Sequence, residues 1–275
     1  FKRTNQNHHP RRMPIIIHND DPLCIIDLSY FIFYRYFALQ KWMKMSETTL
    51  TDEEMLPKFA KVFQDHLKNV SKKLKIPPKN IIMVGDCRRS EIWRNDIYPQ
   101  YKQRDSSIPS NIFPYVYENI IPVLKEIQFI CIDSLEADDI AYVITTHVKN
   151  DVTIITNDND YLQMLNEKTR IVNLPSFKDI SDRCKDNPRV GLMTKVLCGD
   201  PSDTIEGIVS KKVAKELIEH DAPNNQFIEK YMIEHGLKEK YDLNMRLIDM
   251  SNIPQDLKEK VLHSMRYKNE HIQFI

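Results

Sequence analysis

Short apolar runs, each closed by a carboxylate, constrain this chain more than any other feature. Leu23-Cys-Ile-Ile runs into Asp27, Ile81-Ile-Met-Val-Gly into Asp86, and Val152-Thr-Ile-Ile-Thr into Asp158-Asn-Asp160. Continuous apolar runs of this length read as strands buried on both faces. Strand-like runs at 23–28, 80–85, 128–132, 151–156 and 169–173 alternate with helical patterns at 29–44, 53–75, 112–127, 136–149 and 160–166. That alternation predicts an α/β fold, a central mostly parallel sheet with helices on both faces. Sheets of this kind place their sites beyond the carboxyl ends of the strands, where these acids fall.

Each acid also has an ordinary explanation. Asp27 or Ser29 suits the cap of the next helix, and Asp86 suits a turn after Gly85. Asp133-Ser-Leu-Glu136 reads as a capping arrangement with Glu136 at its third helical position, which leaves Asp138 and Asp139 unexplained beside it. Three acids in one first turn are favoured by the helix dipole yet repel one another. Asp158-Asn-Asp160 resembles an Asx-turn cluster, and no Gly and Glu follow at calcium-loop spacing. Gly199-Asp-Pro-Ser-Asp203 adds a further cluster after a helical stretch. Several carboxylates converging on one sheet edge need cations to hold them together, and oxygen-only ligand sets suit Mg²⁺ or Mn²⁺. The expectation is a two-metal phosphodiester enzyme.

Other chemistries find little support. The 9 histidines form no H-x-x-x-H pattern, 5 glycines include no phosphate-binding loop, and 5 cysteines show no C-x-x-C spacing, so reduced thiols are expected. No apolar run approaches the roughly 20 residues that span a bilayer, which predicts an intracellular protein without a membrane partner. The 39 basic and 39 acidic residues cancel. With about eight carboxylates committed to cations, however, the rest of the surface carries an excess of about eight positive charges for phosphate contacts.

From Arg88 to Pro114, Arg88, Arg89, Arg94, Lys102 and Arg104 interleave with Trp93, Tyr98 and Tyr101, a composition suited to gripping a backbone and stacking bases. Beyond about residue 185 strand signals stop. Helical ones continue over Arg189 to Cys198, Lys211 to His220, Asn225 to His235, Tyr241 to Met250 and Gln255 to Tyr267. Residues 1–20, basic and polar, read as a mobile tail.

The ordered set Ile25-Ile-Asp-Leu-Ser29, Val84-Gly-Asp86, Ile92-Trp-Arg-Asn-Asp96, Tyr101-Lys102, Glu136-Ala-Asp-Asp139, Asn157-Asp-Asn-Asp160, Met193-Thr-Lys-Val-Leu197 and Gly199-Asp-Pro-Ser-Asp-Thr-Ile-Glu-Gly207 resembles the flap endonuclease or 5′-nuclease family, above all its bacteriophage ribonuclease H branch. The similarity runs from about residue 23 to 267. The resemblance implies a PIN-like nuclease domain over 21–185, with an arch segment at about 88–114. It also implies a helical DNA-binding subdomain over 186–275 that contains a helix-three-turn-helix element.

By the same resemblance Asp27, Asp86, Glu136, Asp138, Asp158, Asp160, Asp200 and Asp203 bind two Mg²⁺ ions, for which Mn²⁺ can substitute, and Asp139 is a further candidate. Arg94 and Lys102 match basic residues that contact the scissile phosphate. Arg88, Arg89, Tyr101, Arg104, Lys211, Lys212 and Lys215 are the candidates for nucleic-acid contact. The segment Gly207-Ile-Val-Ser-Lys-Lys-Val-Ala214 departs from the family's glycine-rich hairpin, which argues against a monovalent-cation site there. The implied activity is structure-selective 5′→3′ exonuclease and flap endonuclease cleavage of RNA primers or DNA flaps in replication and repair. Branched or flapped DNA, RNA–DNA hybrid and replication proteins are its partners, and a monomer is expected. The alternatives are a non-catalytic DNA-junction binder with a nuclease-like fold and a single-strand ribonuclease of the wider PIN group.

Overall fold

A computed structural model describes residues 14–19, 21–103, 111–184, 187–221 and 226–268. The predicted runs become strands β2 (Leu23–Asp27), β3 (Ile81–Gly85), β4 (Gln128–Cys131), β5 (Val152–Ile155) and β6 (Thr169–Val172). They form one parallel sheet in the order β4-β3-β2-β5-β6. The chain moves outward from β2 through β3 to β4, then returns to β2's other side as β5. Beyond the strand ends this reversal opens a crevice, and Asp27 stands at its edge.

Both faces of the sheet are covered, which explains the unbroken apolar runs. Cys24, Ile26, Ile81 and Met83 face a core with Phe31, Phe59, Phe63 and Leu67 from helices α1 (Leu28–Met45) and α2 (Asp52–Leu74). Ile25, Ile82, Val84 and Ile154 face the opposite core with Ile140, Ala141 and Ile144 of α4 (Ala137–His147). Alternate residues of one strand thus serve two cores. Helix α2 starts at a capping box in which the Thr51 N–H donates to Glu54 Oε2 at 2.9 Å and the Glu54 N–H donates back to Thr51 Oγ1 at 3.3 Å. The stretch predicted as helix over 112–127 is α3 (Ile112–Tyr115), then a π-turn over 116–120 and a tight turn over 121–123. Pro122 has no N–H with which to continue a regular ladder.

A third core belongs to the helical region: α5 (Pro188–Cys198), α6 (Lys211–His220), α7 (Gln226–Glu234) and α8 (Lys238–Ile248). Cys87, Ile92 and Tyr101 pack into this same core, so the segment after β3 lies against the helical region up to Gln103. Two boundaries differ from expectation. The helix predicted over Gln255 to Tyr267 is α9 (Gln255–His263), and strand β7 (Met265–Lys268) follows it. Strand β1 (Ile15–His18), placed in the tail by its composition, pairs in parallel with β7. The Gln128 amide then joins β1 to the main sheet, with Gln128 Nε2 donating to Ile16 O at 2.9 Å. The rest of the predicted tail, 1–13 and 20, lies outside the described residues.

Candidate metal centre

Helix α4 supplies the first group of acids. Glu136, Asp138 and Asp139 each offer an oxygen, and these atoms lie within 4.8 Å of one another. The capping box predicted here is present but displaced by three residues: Glu136 is the cap, and Asp139 is the third helical position that folds back, its Oδ2 accepting from the Glu136 N–H at 3.2 Å. Asp133-x-x-Glu136 and Glu136-x-x-Asp139 both fit the pattern, and only the start of helix α4 decides between them.

Asp27 and Asp86 flank this group. The bland reading of Asp27 holds too: its Oδ1 accepts from the Tyr30 N–H at 3.0 Å and caps α1, while its Oδ2 accepts from Thr156 Oγ1 at 2.9 Å. Asp86 accepts from Ser29 Oγ at 2.5 Å and from the Ala137 N–H at 2.8 Å, which ties β3 to the start of α4. Burial, then the charge of Asp86, pushes Asp27 up to about 7. Burial raises Asp86 as well. Asp138 lies well above the carboxylate range through burial and then the charge of Glu136. Carboxylates so placed favour any nearby positive charge.

Asp160, Asp200 and Asp203 form the second group, again with an oxygen from each within 4.8 Å. Asp160 follows β5, where its N–H donates to Asp158 Oδ1 at 3.0 Å. Asp200 and Asp203 sit in the turn between α5 and α6. That turn is closed by reciprocal bonds between Asp200 and Ile205, both 2.9 Å, and by the Ile208 N–H donating to Leu197 O at 2.8 Å. Gly199 has φ +78°, and a Cβ there would meet Gly207 N at 2.4 Å. Only glycine lets the two turn segments approach so closely. Burial, then the charge of Asp158, raises Asp160 to about 6. Asp158 itself is exposed beside the second group and outside its 4.8 Å set.

Two side chains join the groups. Lys102 Nζ lies 2.6 Å from Glu136 Oε1 and 3.6 Å from Asp203 Oδ1. Tyr101 Oη lies 2.9 Å from Glu136 Oε2 and 3.2 Å from Asp203 Oδ2. Burial works against a charged Glu136, but Lys102 and then Arg94 outweigh it and hold this carboxyl below its usual value.

Arg94 is a correction to the sequence reading. Expected at a phosphate, it is buried, with Nη1 2.8 Å from Glu136 Oε2, Nη2 2.8 Å from Asp139 Oδ1 and Nε 2.8 Å from Leu247 O of α8. It fixes acids in place and pins the helical region to the start of α4. Asp139 is fully buried, and its oxygens already accept from Arg94 and, at 3.0 Å, from Trp93 Nε1. Tyr101, expected at nucleic acid, is buried between the groups. Arg88, Arg89, Lys211, Lys212 and Lys215 are exposed, whereas Arg104 lies outside the described residues. The sequence reading missed Lys195, whose ammonium donates to Asp160 and, at 2.6 Å, to Asp200. Its one signal was a lysine just before the Gly-Asp turn.

All the converging donors are carboxylate oxygens, buried or half-buried and under mutual repulsion, which fits a hard divalent cation. The sequence profile of the family described as "5′-3′ exonuclease, N-terminal resolvase-like domain" matches residues 22–190. The chain belongs to this 5′-3′ exonuclease family. A 5′-3′ exonuclease of Bacillus subtilis is 24% identical over 190 residues, 63% of this chain and 64% of that protein. A DNA polymerase I of Lactococcus lactis is 24% identical over 226 residues, 73% of this chain and 24% of that protein. The chain thus spans less than two thirds of these curated relatives.

Among solved structures, a bacteriophage T5 protein co-crystallised with metal ions superposes with a TM-score of 0.65 at 18% identity, covering 89% of this chain and 100% of that one. The T5 flap endonuclease in a pseudo-enzyme-product complex with DNA and metal ions superposes with 0.64 at 18% identity, covering 88% and 98%. At this identity the likeness is one of fold. The helical region takes part in it, since the superposition extends well beyond residue 190. Among the described residues no helix is long and apolar enough to cross a membrane.

Proposed function

We propose that this chain is a structure-selective 5′→3′ exonuclease and flap endonuclease that hydrolyses phosphodiester bonds near the 5′ end of RNA primers or DNA flaps with two Mg²⁺ ions. The observation that carries the reading is two groups of three acids meeting at the switch point of the sheet, with Lys102 and Tyr101 between them. Asp27, Asp86, Glu136 and Asp138, with Asp158 close by, would hold one ion directly or through water, and Asp160, Asp200 and Asp203 the other. Bound there, divalent ions lower the pKa of water and stabilise a leaving 3′ oxygen, which gives 5′-phosphate and 3′-hydroxyl products.

Lys102 is the phosphate-facing residue of this reading. Its side chain is 20% exposed, with its ammonium at the junction of both groups, so it offsets charge that develops on phosphate. Arg94 acts at one remove by holding Glu136. Exposed Arg88 and Arg89 lie just after β3. Lys211, Lys212 and Lys215 surround the start of α6, where the helix dipole also favours a backbone phosphate. The T5 enzyme's complex with DNA supports branched DNA as the substrate class, and the polymerase relatives support a setting in replication. A non-catalytic junction binder is the weaker reading, since no acid expected to hold an ion has been replaced.

A labelled 5′-flap duplex incubated with Mg²⁺ tests the proposal. Cleavage that stops with chelator and falls about 100-fold or more in Asp158→Asn is expected, the scale of weakening the electrostatic stabilisation that a correctly held ion gives the reacting phosphate. Tight flap binding without hydrolysis, or an unchanged rate in that variant, removes the catalytic reading.

A further inference from the structure

Lys195 has no part in the chemistry above, yet it stands among the proposed donors. It extends from α5, five residues before Asp200, and its ammonium donates to Asp160 Oδ1 and, at 2.6 Å, to Asp200 Oδ2. Asp200 has little else to offer a cation: its Oδ1 accepts from the Ser202 N–H at 2.9 Å and from Ser202 Oγ. The oxygens best placed to receive a divalent ion in the second group are therefore those that a cation of the chain already uses.

We propose that Lys195 is a resident counter-cation that a divalent ion must displace, so that this lysine sets the affinity of the second carboxylate group and keeps it below that of the first. The inference rests on reading that group as an ion site. An ammonium and a divalent ion cannot share two carboxylate oxygens without strong repulsion, so one must leave. Lys195 is able to leave. Its side chain is 26% exposed, and its four-carbon stem is flexible.

The cations of the first group are held by more than the acids. Arg94 is also bonded to Leu247 O, and Lys102, whose ammonium meets the acids Glu136 and Asp203, has its main chain fixed by its backbone N–H donating to Asp203 O at 3.1 Å. Before an ion arrives, Lys195 keeps Asp160 and Asp200 together across the joint between β5 and the α5–α6 turn. When one arrives, the ammonium moves out to water, or to a substrate phosphate. Ion uptake thus becomes stepwise, with the first group filling at lower concentration.

Mn²⁺ titration of the whole chain by calorimetry, with free Mn²⁺ counted by paramagnetic resonance, tests this directly. In Lys195→Met the second Mn²⁺ should bind about tenfold tighter or more, since an opposing charge is gone, while the first changes less than about twofold. Lys195→Arg, which keeps the charge, should stay near wild type. Lys195→Gln carries the same expectation as the Met variant if that protein folds poorly, as thermal melts will show. Two Mn²⁺ in every protein, with a second affinity unmoved or weakened in the neutral variants, overturns the role of Lys195 and leaves the two-ion reading standing. No second Mn²⁺ in any of them removes the two-ion reading and this inference with it.

Discussion

Arg94 reaches Glu136 and Asp139 with a side chain 3% exposed, whereas Lys195 reaches Asp160 and Asp200 with one 26% exposed. The first pairing is a planar fork bonded to two acids and a backbone carbonyl, sealed beneath Trp93. The second is a single ammonium on a flexible stem. A desolvated ion pair is not worth much when intact, but removing one partner strands a buried charge. Around Lys195 water can offset part of that cost, although Asp160 and Asp200 are themselves only 12% and 8% exposed. The two acidic groups therefore have the same ligand chemistry on supports of different stiffness, one a fixed frame and the other a joint.

Removing the frame's cation should have the largest effect. Arg94→Met leaves Glu136 and Asp139 buried without their partner and should lower the unfolding free energy by about 3–5 kcal/mol in urea titration. Arg94→Lys should recover only part of this, since one ammonium cannot bond two acids and Leu247 O at once. Lys195→Met should lose less, about 1–2 kcal/mol in the same titration, because its ammonium is partly open to water although the acids it leaves are not. Equal losses at the two positions would break the comparison.

The joint itself is breakable at Gly199. Gly199→Ala forces a Cβ toward the Gly207 backbone in a conformation that suits glycine alone, at a cost of about 2–3 kcal/mol. The damage should be local. Hydrogen exchange is expected to speed up in α5 and α6, which flank the turn, and to stay slow in β2, β3 and β5. Uniform acceleration over the whole chain would mean that the turn is as much part of the frame as Arg94.

The difference between frame and joint was only half legible in the sequence. The five strands of the main sheet announced themselves because runs such as Ile81 to Val84 are apolar on both faces, and the acids at their ends followed. Asp27 and Asp86 could be placed at the edge of a sheet from local pattern alone. The β1–β7 pair could not, because it joins residues 15–18 to 265–268 and neither strand carries a strong signal of its own. Arg94 reads as an exposed basic residue among aromatics. What buries it is Leu247 and Asp139, 153 and 45 positions away. Lys195 is similar: its contact with Asp200 is near in sequence, but Asp160 comes to it only through the fold.

A further effect lies outside both groups and sets the background against which their pH dependence is measured. Between α1 and α2, Arg35 Nη1 lies 2.5 Å from His66 Nδ1, which accepts only if the ring is neutral with its proton on Nε2. Burial, then the charge of Arg35, lowers His66 to about 4. Because the folded value lies below the unfolded one, the unfolded chain takes up the proton first as pH falls. Stability is fully present above about pH 6.5 and is lost down to about pH 4. The pair is partly exposed, so the loss should be about 1–2 kcal/mol rather than the full linkage value. Asp27 and Asp160 act in the opposite sense: raised to about 7 and about 6, they favour the fold at low pH and lose that contribution as pH rises. Urea titrations from pH 7 to pH 4 on wild type and His66→Gln, which keeps an acceptor for Arg35 but does not titrate, separate the two trends. The variant should lose less stability on acidification, and equal curves would show that the carboxylate groups alone set the pH profile.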